Sequence, residues 1–211
     1  MKLFLHFAVV GFSNTYLLGP DEGGDALLID PAVMDIQLLR LIEGNRYFIR
    51  HVLLTHNHDA HTDGLRTLRK IYDFDIYCGS SPKAPRDSRK LRDGETLRLG
   101  EITVEPILVA GHSPDSFVYK IGNMIFTGDA LLAGKVGATP SLEARSHLLD
   151  ALHNKVASQT GDLLVFPGHG PPSTMEAERR FNPYLNGTYR LPSNTPVMFT
   201  DLSDPGQEEE S

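Results

Sequence analysis

The chain is poor in the features that would place it in several large functional classes. It has one cysteine in 211 residues, Cys78. A single thiol closes no intrachain disulfide and cannot supply the two to four thiolates of a cysteine-based metal cage. That points to a reducing compartment and to Cys78 as a small buried residue. No apolar run approaches the ~20 residues needed to cross a bilayer. A basic excess is missing as well: 20 Lys and Arg against 27 Asp and Glu leave a net charge of -7, which argues against a broad footprint for nucleic acid or an anionic membrane. Gly-x-Ser-x-Gly is absent, so neither Cys78 nor any serine is assigned a nucleophilic role.

What remains is the composition of a globular protein, 40% hydrophobic and 22% charged, long enough for one domain with a substantial core. The amino terminus, MKLFLHFAVVGFSNTYLL, reads as a first strand rather than a signal peptide, because it carries His6 and lacks a small-residue cleavage site. A soluble cytoplasmic protein is expected, with a small-molecule substrate and no nucleic-acid or membrane partner. The domain is expected over residues 1–190. From 191 to 211 a C-terminal extension with Pro192, Pro196, Pro205 and the acidic run Glu208 to Glu210 shows little periodicity, and its end is expected to be mobile.

Strand-like runs at Lys2 to Val10, Thr15 to Leu18, Ala26 to Ile29 and His51 to Leu54 read as neighbours in one sheet. Between the last two, Met34, Leu38, Leu39, Leu41 and Ile42 recur at helical spacing up to Gly44-Asn45. Another helix is predicted from Thr62 to Tyr72, with Leu65, Leu68 and Ile71 opposite Arg66, Arg69 and Lys70. The polar stretch Ser80 to Asp93, with Pro82 and Pro85, reads as a surface loop. Four strands follow, Leu97 to Leu99, Ile102 to Val109, Ser116 to Ile121 and Met124 to Thr127, the last two joined by a Gly122-Asn123 turn. A helix at Leu142 to Ala157, a strand at Leu163 to Phe166 and a helix around Met175 to Phe181 complete a second half similar to the first.

The segment LLTHNHDAHTDG puts His56, His58 and His61 directly after an apolar strand, where a loop can turn side chains toward one point. Further candidate ligands also follow apolar strands: ILVAGH ends at His112, MIFTGD at Asp129 and LLVFPGH at His169. Glycine precedes each of these three, which suits sharp turns that aim a ligand over a sheet edge. Solvated surface does not account for four strand ends that all deliver His or Asp. Imidazole with a few carboxylates suits zinc and is acceptable to iron, manganese or nickel. His6, His51, His147 and His153 fall outside this set.

In order and spacing, His56-Asn57-His58-Asp59-Ala60-His61, then His112, Asp129 and His169, resembles the motif set of the metallo-β-lactamase superfamily. The resemblance implies an α/β fold, a four-layer αβ/βα sandwich with metals at the sheet edges between the halves, and Asp30 in LLIDPA as the structural aspartate. Asn14 in NTYLL, FTGDALLAG, and GHGPPS followed by FNPYL are most similar to the small glyoxalase II-like branch and its persulfide dioxygenase cousins. Carried over by position, His56, His58 and His112 would hold a first metal, Asp129 would bridge, and His61 and His169 would serve a second. Most members have His-x-His-x-Asp-His; here position 60 is Ala, and Asp59, one place earlier, points elsewhere unless it helps as a substitute. A weakened second site, with one or two zinc ions, or iron or manganese in their place, is the expectation.

The main reading is a hydrolase in which metal-bound water, its pKa lowered toward ~7, attacks a thioester or ester-like carbonyl. Glyoxalase II-like enzymes carry Lys or Arg nine residues after the aspartate, where this chain has Ala138; Lys135, three residues earlier, is the candidate to meet an acidic substrate. The alternative is a mononuclear iron persulfide dioxygenase, resembling enzymes that use the equivalents of His56, His112 and Asp129. A weakly active metal- or ligand-binding relative is the third reading, motivated by Ala60.

Overall fold

A computed structural model describes residues 1–190; the extension expected over 191–211 lies outside the described residues. The first half forms a six-stranded sheet in sequence order, from β1 (Lys2–Ala8), β2 (Ser13–Gly19), β3 (Gly24–Ile29) and β4 (Tyr47–Leu53) to β5 (Asp75–Cys78) and β6 (Arg89–Lys90). The first three strands pair antiparallel, and β3, β4 and β5 run parallel. Helix α1 (Ile36–Gly44) supplies the crossover between β3 and β4, its start fixed by Asp35, whose side chain accepts from the amides of Gln37 and Leu38. The short helices α2 (Asp59–Thr62) and α3 (Leu65–Leu68) follow β4.

The second half forms a matching sheet from β7 (Leu97–Leu99), β8 (Ile102–Leu108), β9 (Phe117–Ile121), β10 (Met124–Gly128), β13 (Leu164–Pro167) and β14 (Ser173–Thr174), with β10 and β13 parallel. A small hairpin of β11 (Leu131–Leu132) and β12 (Lys135–Val136) follows β10. Helices α4 (Leu142–Ala151) and α5 (Met175–Phe181) complete this half.

Alternation along the strands explains the layering. On β3, Leu27 and Ile29 face an inner core while Ala26 and Leu28 face an outer one; on β9, Phe117, Tyr119 and Ile121 face inward and Val118 outward. The inner core lies between the two sheets. One outer core packs Leu38 and Ile42 of α1 and Leu65 and Leu68 of α3 on the first sheet, and the other packs Leu148 of α4 with Leu152 and Val156 on the second. Three cores between four layers make the αβ/βα sandwich that the resemblance implied. Each fully buried Leu or Ile contributes about 1.5–3 kcal/mol, so these clusters dominate cohesion.

Three expectations need correction, and one strand is added. The helix predicted from Thr62 to Tyr72 is broken into α2 and α3 at Asp63-Gly64. There Gly64 donates its amide to the Pro31 carbonyl at 2.9 Å, and a Cβ on it would sit 2.5 Å from that oxygen; this close backbone contact displaces a continuous helix. The helix predicted from Leu142 to Ala157 is α-helical only to Ala151 and continues as π-helix over Leu152–Ala157. β5 arises in a segment read as neither strand nor loop, where exposed Asp75 masks a strand whose other residues, Ile76, Tyr77 and Cys78, are buried. The surface loop Ser80 to Asp93 pairs briefly with the sheet through β6. Among the described residues no helix is long and apolar enough to cross a membrane.

Candidate metal centre

Because β3, β4 and β5 are parallel, as are β10 and β13, the loops leaving β4, β10 and β13 emerge at one rim. His56 follows β4, Asp129 follows β10 and His169 follows β13, with His112 beyond the end of β8. Gly111 and Gly128 lie at φ 146° and 50°, so the turns before His112 and Asp129 need the freedom of glycine. Gly168 answers a different need: a Cβ there would stand 2.6 Å from both Asp129 Oδ1 and His61 Cε1.

Two compact groups of ligand atoms result, His56, His58 and His112, and His56, His61 and Asp129, the atoms of each within 4.8 Å of one another. His112 Nε2 lies 3.3 Å from His56 Nε2 and 3.2 Å from His58 Nδ1. Asp129 Oδ2 lies 3.5 Å from His61 Nε2, 3.7 Å from His112 Nε2 and 4.0 Å from His56 Nε2. His169 belongs to neither compact group: its Nδ1 is 2.7 Å from Asp129 Oδ1, and its Nε2 faces the Gly11 carbonyl at 3.0 Å.

The outer nitrogens of three rings are occupied. His112 Nδ1 meets the Ala138 carbonyl at 2.7 Å, His61 Nδ1 meets Asp30 at 3.0 Å and His56 Nδ1 meets Thr55 Oγ1 at 3.1 Å. Each therefore turns its Nε2 to the common space, the arrangement that orients imidazoles on a metal. His61 Nε2 is buried with no hydrogen-bond partner, an orphan that a cation would satisfy. Asp30 is held in turn by the Thr55 amide at 2.7 Å and hydroxyl at 2.6 Å. The donors are imidazole nitrogens and carboxylate oxygens, a set that fits a first-row transition metal.

The electrostatics agree. Burial, reinforced by the neighbouring His61, pushes His56 down to about 2, so it is a neutral ring with a free lone pair. Burial also lowers His58, with His112 adding to the effect. In His61 burial opposes the proton, but Asp30 and Asp129 outweigh it and hold the ring up to about 10. Burial likewise opposes charge on Asp129, yet the His169 hydrogen bond and the positive charge of neighbouring His61 keep it well below the usual carboxylate range. The cluster is a place for positive charge, supplied by a proton when no metal competes.

Asp59 is exposed at the first residue of α2 and joins neither group. Ala60 gives its carbonyl to Ser13 Oγ at 2.7 Å, and its methyl faces Gly11. Lys135 is exposed at the start of β12, two residues before Gly137, which packs on His112 and Asp129. His6 is paired with Asp35 and His153 with the Tyr184 carbonyl, apart from the cluster. Sequence reasoning missed Thr55, Asp115 and the carbonyls of Gly11 and Ala138. Buried Asp115 binds the Asn57 backbone and side chain; a carboxylate three residues beyond His112 was the available signal, whereas backbone carbonyls leave none.

Comparison with known proteins places this rim in a wider group. The family described as "Metallo-beta-lactamase superfamily" matches residues 8–180. The human mitochondrial persulfide dioxygenase ETHE1 is 33% identical over 190 residues, covering 85% of this chain and 74% of that protein. The crystal structure of ETHE1 from Myxococcus xanthus superposes with a TM-score of 0.79 at 29% identity, covering 89% of this chain and 85% of that one. A di-iron-bound form of TTHA1623 gives a TM-score of 0.71 at 28% identity, covering 86% of this chain and all of that one.

Proposed function

The chain belongs to the metallo-β-lactamase superfamily, and on that premise we propose that it is a mononuclear iron dioxygenase acting on a small-molecule persulfide. The observation that carries this reading is the convergence of His56 Nε2, His112 Nε2 and Asp129 Oδ2 within 4.0 Å of one another. Two histidines and one carboxylate with open positions form the ligand set of non-haem iron oxygenases. The persulfide dioxygenases among the relatives support the same chemistry. A second metal is disfavoured here, because Ala60 offers no carboxylate and His169 Nε2 is directed to Gly11.

Iron, when bound, supplies the oxygen chemistry. The balanced reaction is R-S-SH plus O2 plus H2O giving R-SH, sulfite and two protons: the outer sulfur is oxidised, O2 is reduced and the S–S bond breaks. The residues of this chain hold and orient. Ala138 and Thr55 fix the His112 and His56 rings, and Asp129 completes the set.

The hydrolase reading retains one supporting observation, the presence of His58 and His61 beside the three-residue set. The separating experiment is elemental analysis of protein purified without added metal, with oxygen uptake and sulfite release on a persulfide assayed beside thioester hydrolysis. Iron with sulfite supports the dioxygenase; zinc with thioester cleavage and no oxygen uptake overturns it.

A further inference from the structure

His112 sits on a loop beyond the end of β8, so the aim of its ring depends on what packs around it. Its Nδ1 meets the Ala138 carbonyl at 2.7 Å. The preceding residue, Gly137, has no room for a side chain: a Cβ there would collide with the Asp129 carbonyl oxygen and stand 3.0 Å from His112 Nδ1. The stretch from Gly134 to Thr139 is therefore a strap laid across two metal-ligating residues. The contact that orients His112 comes from a main-chain atom, and the place of that atom is set by whatever holds the ends of the strap.

Both ends are held by charged side chains that take no part in the ligand cluster. At the first end Glu178 of α5, 3% exposed, accepts from the Gly134 amide at 3.1 Å. It also accepts from the Ser173 hydroxyl at 2.6 Å and from Asn182 Nδ2 at 2.8 Å. At the second end Arg145 of α4 donates through Nε to Thr139 Oγ1 at 3.2 Å and through Nη1 to Tyr189 Oη at 2.8 Å. Helix α4 meets the His112 loop once more, because a Cβ on Gly111 would stand 2.5 Å from the carbonyl of Ala144, the neighbour of Arg145. All these hydrogen-bond partners are neutral. A buried carboxylate and a half-buried guanidinium in neutral company cost free energy to desolvate, so cohesion alone is a poor account of them.

We propose that Arg145 and Glu178 are positioning residues for the metal centre, acting through the strap. Arg145 fixes Thr139 and Glu178 fixes Gly134, and the tethered backbone between them presents the Ala138 carbonyl to His112 Nδ1. His112 Nε2 is thereby aimed at the space it shares with His56 and Asp129. The proposal rests on the reading of these residues as a metal centre, and it holds whichever reaction that centre performs.

The test is titration of the chelator-stripped full chain with cobalt(II), whose visible absorption reports the geometry of its ligands. Arg145→Met keeps the apolar stem without the donors, Thr139→Val removes only the hydroxyl, and Thr139→Ser restores it. Glu178→Gln probes the first end. Arg179→Met is the control, since Arg179 lies on the same helix as Glu178 but donates to the Ala157 carbonyl at 2.8 Å, away from the strap. Cobalt affinity is expected to fall about tenfold in Arg145→Met, Thr139→Val and Glu178→Gln, each with a changed absorption spectrum. Thr139→Ser and Arg179→Met should keep both affinity and spectrum, even where the urea midpoint of Arg179→Met falls. Full affinity with an unchanged spectrum in Arg145→Met or Thr139→Val overturns the assignment of Arg145, and the same result in Glu178→Gln overturns that of Glu178. An equal loss in Arg179→Met overturns both. Cobalt binding is read without turnover, so a chain that follows this pattern but oxidises no persulfide refutes the dioxygenase reading alone.

Discussion

His61 faces Asp30 at 3.0 Å through Nδ1 and Asp129 at 3.5 Å through Nε2, so one buried ring links an aspartate of the first half to one of the second. Asp30 adopts φ 51°, a left-handed conformation that Asp and Asn tolerate better than most residues. Asp30→Asn therefore keeps the backbone while removing the charge that orients His61. Metal affinity is expected to fall about 10- to 100-fold, measured by competition with a chromophoric chelator. An unchanged affinity would show that Asp30 serves the fold only.

The chelator-stripped chain has a predictable pH response. His61, raised to about 10, contributes stability that is complete below the ordinary imidazole value and is lost as pH climbs through about 10. His56, lowered to about 2, behaves oppositely: its stability is complete above the ordinary value and is lost as pH falls toward 2. Urea midpoints across pH should peak near neutrality and decline on both sides. Metal displaces the His61 proton, so metal affinity should rise with pH; a flat affinity profile contradicts this account.

Ala60→Asp restores the carboxylate at the position the superfamily usually fills. Metal content is expected to rise from about one toward two per chain, by elemental analysis of protein grown with excess metal. Two tightly held ions in the unsubstituted chain would mean that His61, Asp129 and His169 suffice without it.

Gly168→Ala places a methyl 2.6 Å from Asp129 Oδ1 and His61 Cε1. Overpacking of this kind costs about 1–3 kcal/mol, and here the strain falls on Asp129 and on His61 beside it. The expected outcome is a folded chain by circular dichroism with metal retention reduced at least about tenfold. Full retention would show that the rim yields without moving its ligands.

Asp129→Asn leaves the shape of the side chain but removes the charge shared by His61, His112 and His169. Oxygen uptake should fall by at least about 100-fold, the scale of losing a principal ligand. Retained uptake would exclude Asp129 from the reacting centre.

Much of the rim could be read before the fold was known. An apolar run followed by His or Asp signals a strand that delivers a polar side chain to the rim, and His56, Asp129 and His169 follow that rule. The layering could be read too, since alternation on strands such as β3 assigns both faces. Contacts made by backbone atoms could not. Gly64 against Pro31 breaks a helix that the Leu65, Leu68 and Ile71 periodicity favours, because local pattern carries no record of a chain segment 33 positions away. The Ala138 and Gly11 carbonyls that orient His112 and His169 are invisible for the same reason: any residue supplies a carbonyl, and only the fold decides which one is near.

The division of the ligands between the two sheets has a mechanical consequence. Of the two compact groups, His56, His58 and His61 come from the half that ends near β6, and His112 and Asp129 from the half that begins near β7. Across this seam Tyr16 Oη donates to the Pro167 carbonyl at 2.6 Å and Asn14 Nδ2 to the Gly170 carbonyl at 2.7 Å. A bound ion is thus a rivet between fragments. A chain cut in the Asp93-Gly94 turn should reassemble from its two pieces far more readily with metal than without, since neither piece alone carries a complete set of donors.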